Sequence, residues 1–223
     1  MEFLLEKAYD AVNFRIAGPA WLNSERFDVD ATMPPSTTKA QFQIMLQNLL
    51  AERFKLAMHR ETRELPGYSL VVAKNGPKFK ESAGELAAQD ENAPDPPLRL
   101  GLDGYFVPPQ RPGIFLQMSR PPGAHSTFRQ VTMQMLASSL QSQLRRPVGN
   151  ATGLTAKYDF VLNFSTEGLD LGSGRIPVSP GDADPPPDIF SALPSQLGLI
   201  LESKKGPAEV IVIDHVEKAP IEN

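Results

Sequence analysis

The chain contains no cysteine. Disulfides, thiolate metal ligands and thiol nucleophiles are thereby excluded. Histidine is scarce as well: His59, His125 and His215 have to supply any imidazole chemistry. No two of them stand at helical i, i+4 spacing or in an H-E-x-x-H pattern, so no helical zinc pair is present. No run approaches the roughly 20 apolar residues of a membrane-spanning helix. The N-terminus, MEFLLEKAYD, carries acids where an export signal would be basic. With Lys+Arg 22 against Asp+Glu 26 the net charge is −4, and the concentrated basic face that nucleic acid requires is missing.

What the sequence has in quantity is proline. Its 22 residues in a chain of 223 are about twice the usual share of roughly 5%. They gather in two acid-rich stretches, residues 83–112 and 165–187, read as a linker and a loop insertion. Elsewhere the 41% of hydrophobic residues is enough for a core, and the length fits one or two domains.

The chain between these stretches reads as one module written twice, an α+β fold of two tandem α/β repeats. The first module spans 1–82 and the second 113–223. Each has a strand pair announced by Leu22…Phe27-Asp28-Val29 or Leu154…Tyr158-Asp159-Phe160. A helix and a hairpin follow: helix 40–54 with strands 55–59 and 68–73, then a short helix near 189–198 with strands 199–203 and 210–216. The first repeat lacks the leading strand that residues 126–130 give the second. Residues 113–118 are the apolar stretch expected to cover that edge, unless a homodimer does. In the first main helix Phe42, Met45, Leu46, Leu49, Leu50 and Phe54 recur on one face. Phe42, Leu46, Leu49, Leu50 and Phe54 are the expected core. Ser36 or Thr37 is the expected N-cap. In the second, Pro194 forces a late start or a kink.

Chemistry is sparser. The catalytic candidates are Asp28, His59, Asp159, Asp214 and His215, because imidazole and carboxylate together support acid–base work. Asp28 and Asp159 recur in both modules, and a repeated carboxylate also serves simply to accept hydrogen bonds from a turn. A metal would take His59, His125 and His215, or Asp182 and Asp184 with Asp188 for Ca²⁺, although no EF-hand pattern is present. Ser36 and Lys39 have the S-x-x-K spacing of serine acylases, but the companion motifs are absent and a helix start explains both residues.

The segments FRQVTMQMLASSLQSQLRRPVGNATGLTAKYDFVLNF and SALPSQLGLILESKKGPAEVIVIDHVEKAP resemble an uncharacterised family of predicted exported proteins from soil acidobacteria. AYDAVNFRIAGPAWLNSERFDVDA and MLQNLLAERFKLAMHRETRELPGYSLVVAKNGPKF resemble it too. The resemblance covers nearly the whole chain outside the two proline-rich stretches. Members usually begin with an export signal and an extra segment, so the chain looks like a truncated member. Some relatives are fused to a membrane metallopeptidase of the antibiotic-sensor type, which implies extracytoplasmic sensing or partner binding. The element order also resembles the short N-terminal domain of secretins and TonB-dependent receptors. Neither resemblance brings a catalytic residue. The expected function is a non-enzymatic extracytoplasmic interaction or sensor module with a protein or small-molecule partner and no required cofactor. The alternative is a small hydrolase of esters or lactones, assisted by Ca²⁺ or another divalent metal.

Overall fold

Thr38 starts the main helix. Its hydroxyl accepts the Gln41 N–H, and the Gln41 side chain accepts the Thr38 N–H, which satisfies two donors at the helix end. The cap therefore falls beyond the expected Ser36 or Thr37. Helix α2 (Lys39–Phe54) stops at Lys55, whose φ of 51° is left-handed, and Leu56 returns its N–H to the Leu50 carbonyl. The structure, a computed structural model, describes residues 1–84, 86, 99–119, 123–169 and 186–221. It divides into two units, Met1–Leu65 with Lys205–Asn223 and Pro66–Lys204.

In the first unit helix α1 (Glu2–Tyr9) packs on α2, and Gln47 Nε2 donates to the Ala8 carbonyl at 2.7 Å. Strand β1 (Ile16–Ala17) runs parallel to β8 (Leu199–His215) at Ile211 and Val212. Leu5, Leu22, Leu50, Phe54, Ile211 and Ile213 form the core. Phe27 meets Phe54 edge-on, with ring centroids 5.0 Å apart. The chain end is tied down through Glu217, whose N–H reaches the Phe54 carbonyl at 2.7 Å. Strand β2 (Ala57–Val72) neighbours β8 in the sheet. Both strands contribute residues to each unit.

The second unit is an antiparallel sheet in the order β3 (Lys80–Glu81), β7 (Tyr158–Ser165), β5 (Gly123–Val131), β4 (Gly113–Ser119). Helix α3 (Met133–Leu144) follows β5 directly, with the Thr132 hydroxyl accepting the Met135 N–H. Strand β6 (Val148–Asn150) runs parallel to β2 at Tyr68–Leu70. Every second residue of β7 is buried (Tyr158, Phe160, Leu162 and Phe164), the alternation expected of a half-buried strand. They pack with Leu136, Leu140, Leu193 and Leu199. Asp188 caps the four-residue helix α4 (Ile189–Ala192), which widens into a π turn over Leu193–Leu197. Pro194 stands at the entry to that turn, so the proline produces a wide turn rather than a late start. Ser165 N–H meets the Pro187 carbonyl at 2.8 Å, joining the two ends of the second proline-rich stretch.

The α+β class is observed, and several finer expectations are corrected. Phe27-Asp28-Val29 lies outside any strand, whereas Tyr158-Asp159-Phe160 opens β7. Helix α2 has 16 residues against four in α4. Phe27-Asp28-Val29 and Tyr158-Asp159-Phe160 thus occupy different elements, and the expected superposition fails at that pair. The two expected hairpins are instead uninterrupted strands, β2 and β8. Gly67 and Gly206 stand between the expected strands of each hairpin, and neither adopts a positive φ. Gly67 serves close approach: a Cβ there would lie 2.4 Å from the Pro147 carbonyl oxygen. Residues 113–119 form β4 as a strand, but its partner is β5 in the second unit, not an edge of the first.

Candidate functional site

Helix α2 carries more apolar surface than its core can use. Leu46, Leu50 and Phe54 are buried, while Phe42 is 38% exposed, Met45 is exposed and Leu49 is half-buried. At 100° per residue these two rows stand side by side on the helix. The inner row enters the core and the outer row faces a groove. The core expectation for Phe42 is corrected accordingly, while Leu49 is half-buried and still packs against the core: the stripe is wider than the sheet and α1 can cover.

Within the first unit this groove encloses about 320 Å³. Phe42, Met45 and Leu49 form one wall, Phe3 and Lys7 of α1 another, and Val29 and Met33 of the irregular segment a third. Phe3 is 56% exposed and Met33 is 55% exposed. Convergent exposed apolar side chains of this kind mark binding surfaces more often than scattered ones do. Methionines at 33 and 45 add flexible, polarisable side chains that adjust to different shapes. Lys7 is the one charged residue in the lining, with its ammonium 5.1 Å from the centre of the Phe3 ring. Sequence reasoning missed this site because Phe3, Lys7 and the 29–33 segment reach it only through the fold. The surplus width of the α2 stripe was its one legible sign.

Of the catalytic candidates, one pair meets. His59 Nδ1 lies 2.8 Å from Asp214 Oδ1 and 3.0 Å from Oδ2. Glu61 Oε2 is 3.8 Å from His59 Nε2. The Asp214 hydrogen bond raises the His59 pKa above its ordinary value, against some dehydration and with help from the charges of Asp214 and Glu61. The pair is about half exposed on the strand surface. His215 is paired loosely with Glu217 at 4.0 Å. Asp28 is exposed in the irregular segment. Lys39 reaches Asp10 at 3.0 Å, outside any partnership with Ser36.

Asp159 has a structural task. Strand β5 bulges between Phe128 and Val131, leaving Gln130 at a φ of 49°. Asp159 Oδ1 accepts the Gln130 N–H at 2.6 Å, and Gln130 Nε2 donates to the Gly84 carbonyl at 2.7 Å. A second cavity of about 420 Å³ beside this bulge is lined by Thr127, Arg129, Gln130 and Asp159. Asp159 Oδ1 and the Gln130 amide in this lining take part in holding the strand.

His125 is buried in a polar row across β4, β5 and β7, in register with Gln117 and Asn163. Its Nδ1 is 2.7 Å from Asn163 Oδ1, and the Tyr105 ring stacks on it with centroids 3.7 Å apart. Gln117 exchanges two hydrogen bonds with the backbone of Phe106, and the row anchors the 99–107 segment. Asp182 and Asp184 lie outside the described residues. Among the described residues no three His, Asp or Glu side chains converge as a metal set, and no helix is long and apolar enough to cross a membrane. Asp188 accepts from the Ser191 hydroxyl and from the N–H groups of Ser191 and Phe190. These bonds, the hydroxyl first, hold its pKa below the ordinary value.

Residues 2–216 match the model of a family described as a protein of unknown function, DUF3738. Comparison with curated proteins and with solved structures finds no match.

Proposed function

We infer that the chain, which belongs to the DUF3738 family, is a non-catalytic binding module whose ligand sits in the groove between α1, α2 and the 29–33 segment. The groove itself carries the reading. It presents apolar side chains from three segments around about 320 Å³, within the size range of small-molecule sites, roughly 300–1,000 Å³. Its lining holds neither imidazole nor carboxylate, so it offers a surface for retention rather than proton transfer. An extracytoplasmic setting, as part of a sensor or a partner-binding assembly, is supported by the resemblance to exported proteins.

A neutral solvatochromic dye such as Nile red tests the reading. The full chain should enhance and blue-shift its emission, and Met45→Glu should abolish the effect while leaving the circular dichroism melt in place. Equal enhancement by both proteins, or none by either, overturns the assignment of the groove. The alternative, an ester or lactone hydrolase, draws only on the His59–Asp214 contact. Esterase turnover that His59→Gln removes would favour it, and turnover indifferent to that change would not.

A further inference from the structure

We propose that the groove takes a free medium-chain carboxylate, with Lys7 holding the anionic head and the α2 outer row holding the chain. This rests on the binding reading above and adds the chemistry of the ligand.

The charge pattern points to an anion. Lys7 follows Phe3 by four residues, so both project from one face of α1. Its ammonium stands over the Phe3 ring, and apart from Lys7 and Thr32 the lining is apolar. No carboxylate among the described residues forms an ion pair with it. Lys39, at the start of α2, is by contrast matched by Asp10 at 3.0 Å. Asp28 and Asp30 flank Val29 in the third wall, yet neither lines the groove. A ligand placed here meets one cation and no anion, and complementary charge selects a partner of opposite sign.

Shape points to a single chain. A cavity of about 320 Å³ sits at the small end of ligand sites. It has no room for a protein helix with its side chains, which is about 10–12 Å across. Met33 and Met45 have the flexibility to follow an alkyl chain through different bends.

The test is a titration of the full chain with decanoate, decanol and decyltrimethylammonium, the two ions below their micelle concentrations and the alcohol below its solubility limit, read by backbone amide shifts in α1 and α2. Decanoate should bind roughly two- to fivefold more tightly than decanol, the range an exposed ion pair supplies. Added salt should erase that advantage. Decyltrimethylammonium should be the weakest of the three. Lys7→Met, at an exposed position, should remove the advantage of decanoate over decanol.

Equal affinity of decanoate and decanol in the native protein overturns the anionic head while the binding reading stands. Shifts in neither helix with any of the three overturn both. Binding to phosphatidylglycerol vesicles without binding to free decanoate assigns the groove to a membrane surface and overturns the proposal. A self-associated chain that dissociates on Met45→Glu and ignores decanoate assigns the groove to a second copy, and the proposal falls with it.

Discussion

The side-chain amide of Gln196 lies against the backbone of Asn163 as a neighbouring strand would. Its Nε2 donates to the Asn163 carbonyl at 2.6 Å and its Oε1 accepts the Asn163 N–H at 2.9 Å. The pairing of β3 with β7 takes in Tyr158 and Asp159, five and four residues earlier. An open strand edge presents unmet donors and acceptors to any passing strand. The π turn that contains Pro194 brings a single amide to meet both groups at Asn163.

Gln196→Ala should lower stability by about 1–2 kcal/mol, because both backbone groups of Asn163 lose their partner. Chemical denaturation gives the loss, and the Asn163 amide should exchange faster in the variant. Gln196→Glu should recover little, since a carboxylate cannot donate to the Asn163 carbonyl. An unchanged midpoint for Gln196→Ala would show that water replaces the amide without cost.

The two rows of α2 should separate on truncation. Leu50 is fully buried, and Leu50→Ala should cost about 2–5 kcal/mol. Phe42→Ala should cost under about 1 kcal/mol in stability, since a residue already exposed gives up little buried area, and should weaken dye and decanoate binding. If Phe42→Ala destabilised as much as Leu50→Ala, the groove would be part of the core.

Titration of His59 has a definite sign. Its folded pKa lies above the ordinary 6.5, so the protonated imidazole adds stability that is fully present below the unfolded value. That contribution drains away as pH rises through the raised folded value. The stability gap between the native protein and His59→Gln should therefore be widest in mildly acidic solution and close toward alkaline pH. Asp214→Asn should move the imidazole resonances to a lower titration midpoint. A gap that grows with pH would refute the pairing.

Asp188 behaves oppositely. Its pKa is depressed below the ordinary 3.8, so its contribution is present above that value and is lost as pH falls through the depressed one. Asp188→Ala should lower stability at neutral pH and make almost no difference in strong acid. A cost that persists undiminished in strong acid would place its cause outside the carboxylate.

Asp159→Ala should cost about 1–3 kcal/mol by leaving the Gln130 N–H without its acceptor. Faster exchange at Gln130, with β7 otherwise intact, would locate the loss at the bulge. Disruption spread through the whole sheet would show that Asp159 does more than hold one amide.

Some of this was open to reading in the residues. The spacing of Leu46, Leu50 and Phe54 announces α2 and its core, and the β7 alternation announces a strand with one buried face. Pro66-Gly67 and Gly206-Pro207 mislead because the same residues serve turns and strands. Whether glycine supplies a positive φ or makes room for a neighbour such as Pro147 depends on what the fold brings alongside. The partnership of His59 with Asp214 spans 155 positions, and local pattern holds no trace of it. The groove sits between these cases: its α2 wall is written in the helix period, but Lys7 and Met33 arrive from elsewhere in the chain.

The bond from Ser165 to Pro187 makes a natural splice point. Both ends are held by the fold itself, β7 on one side and capped α4 on the other, so whatever joins them need only close a gap already set. Closure of a flexible loop costs only about 0.6 kcal/mol more for each doubling of its length. A fluorescent protein or an affinity tag grafted between these anchors would begin and finish at neighbouring points. The sheet beneath could then stay in register, which makes this stretch a practical handle for imaging or capture.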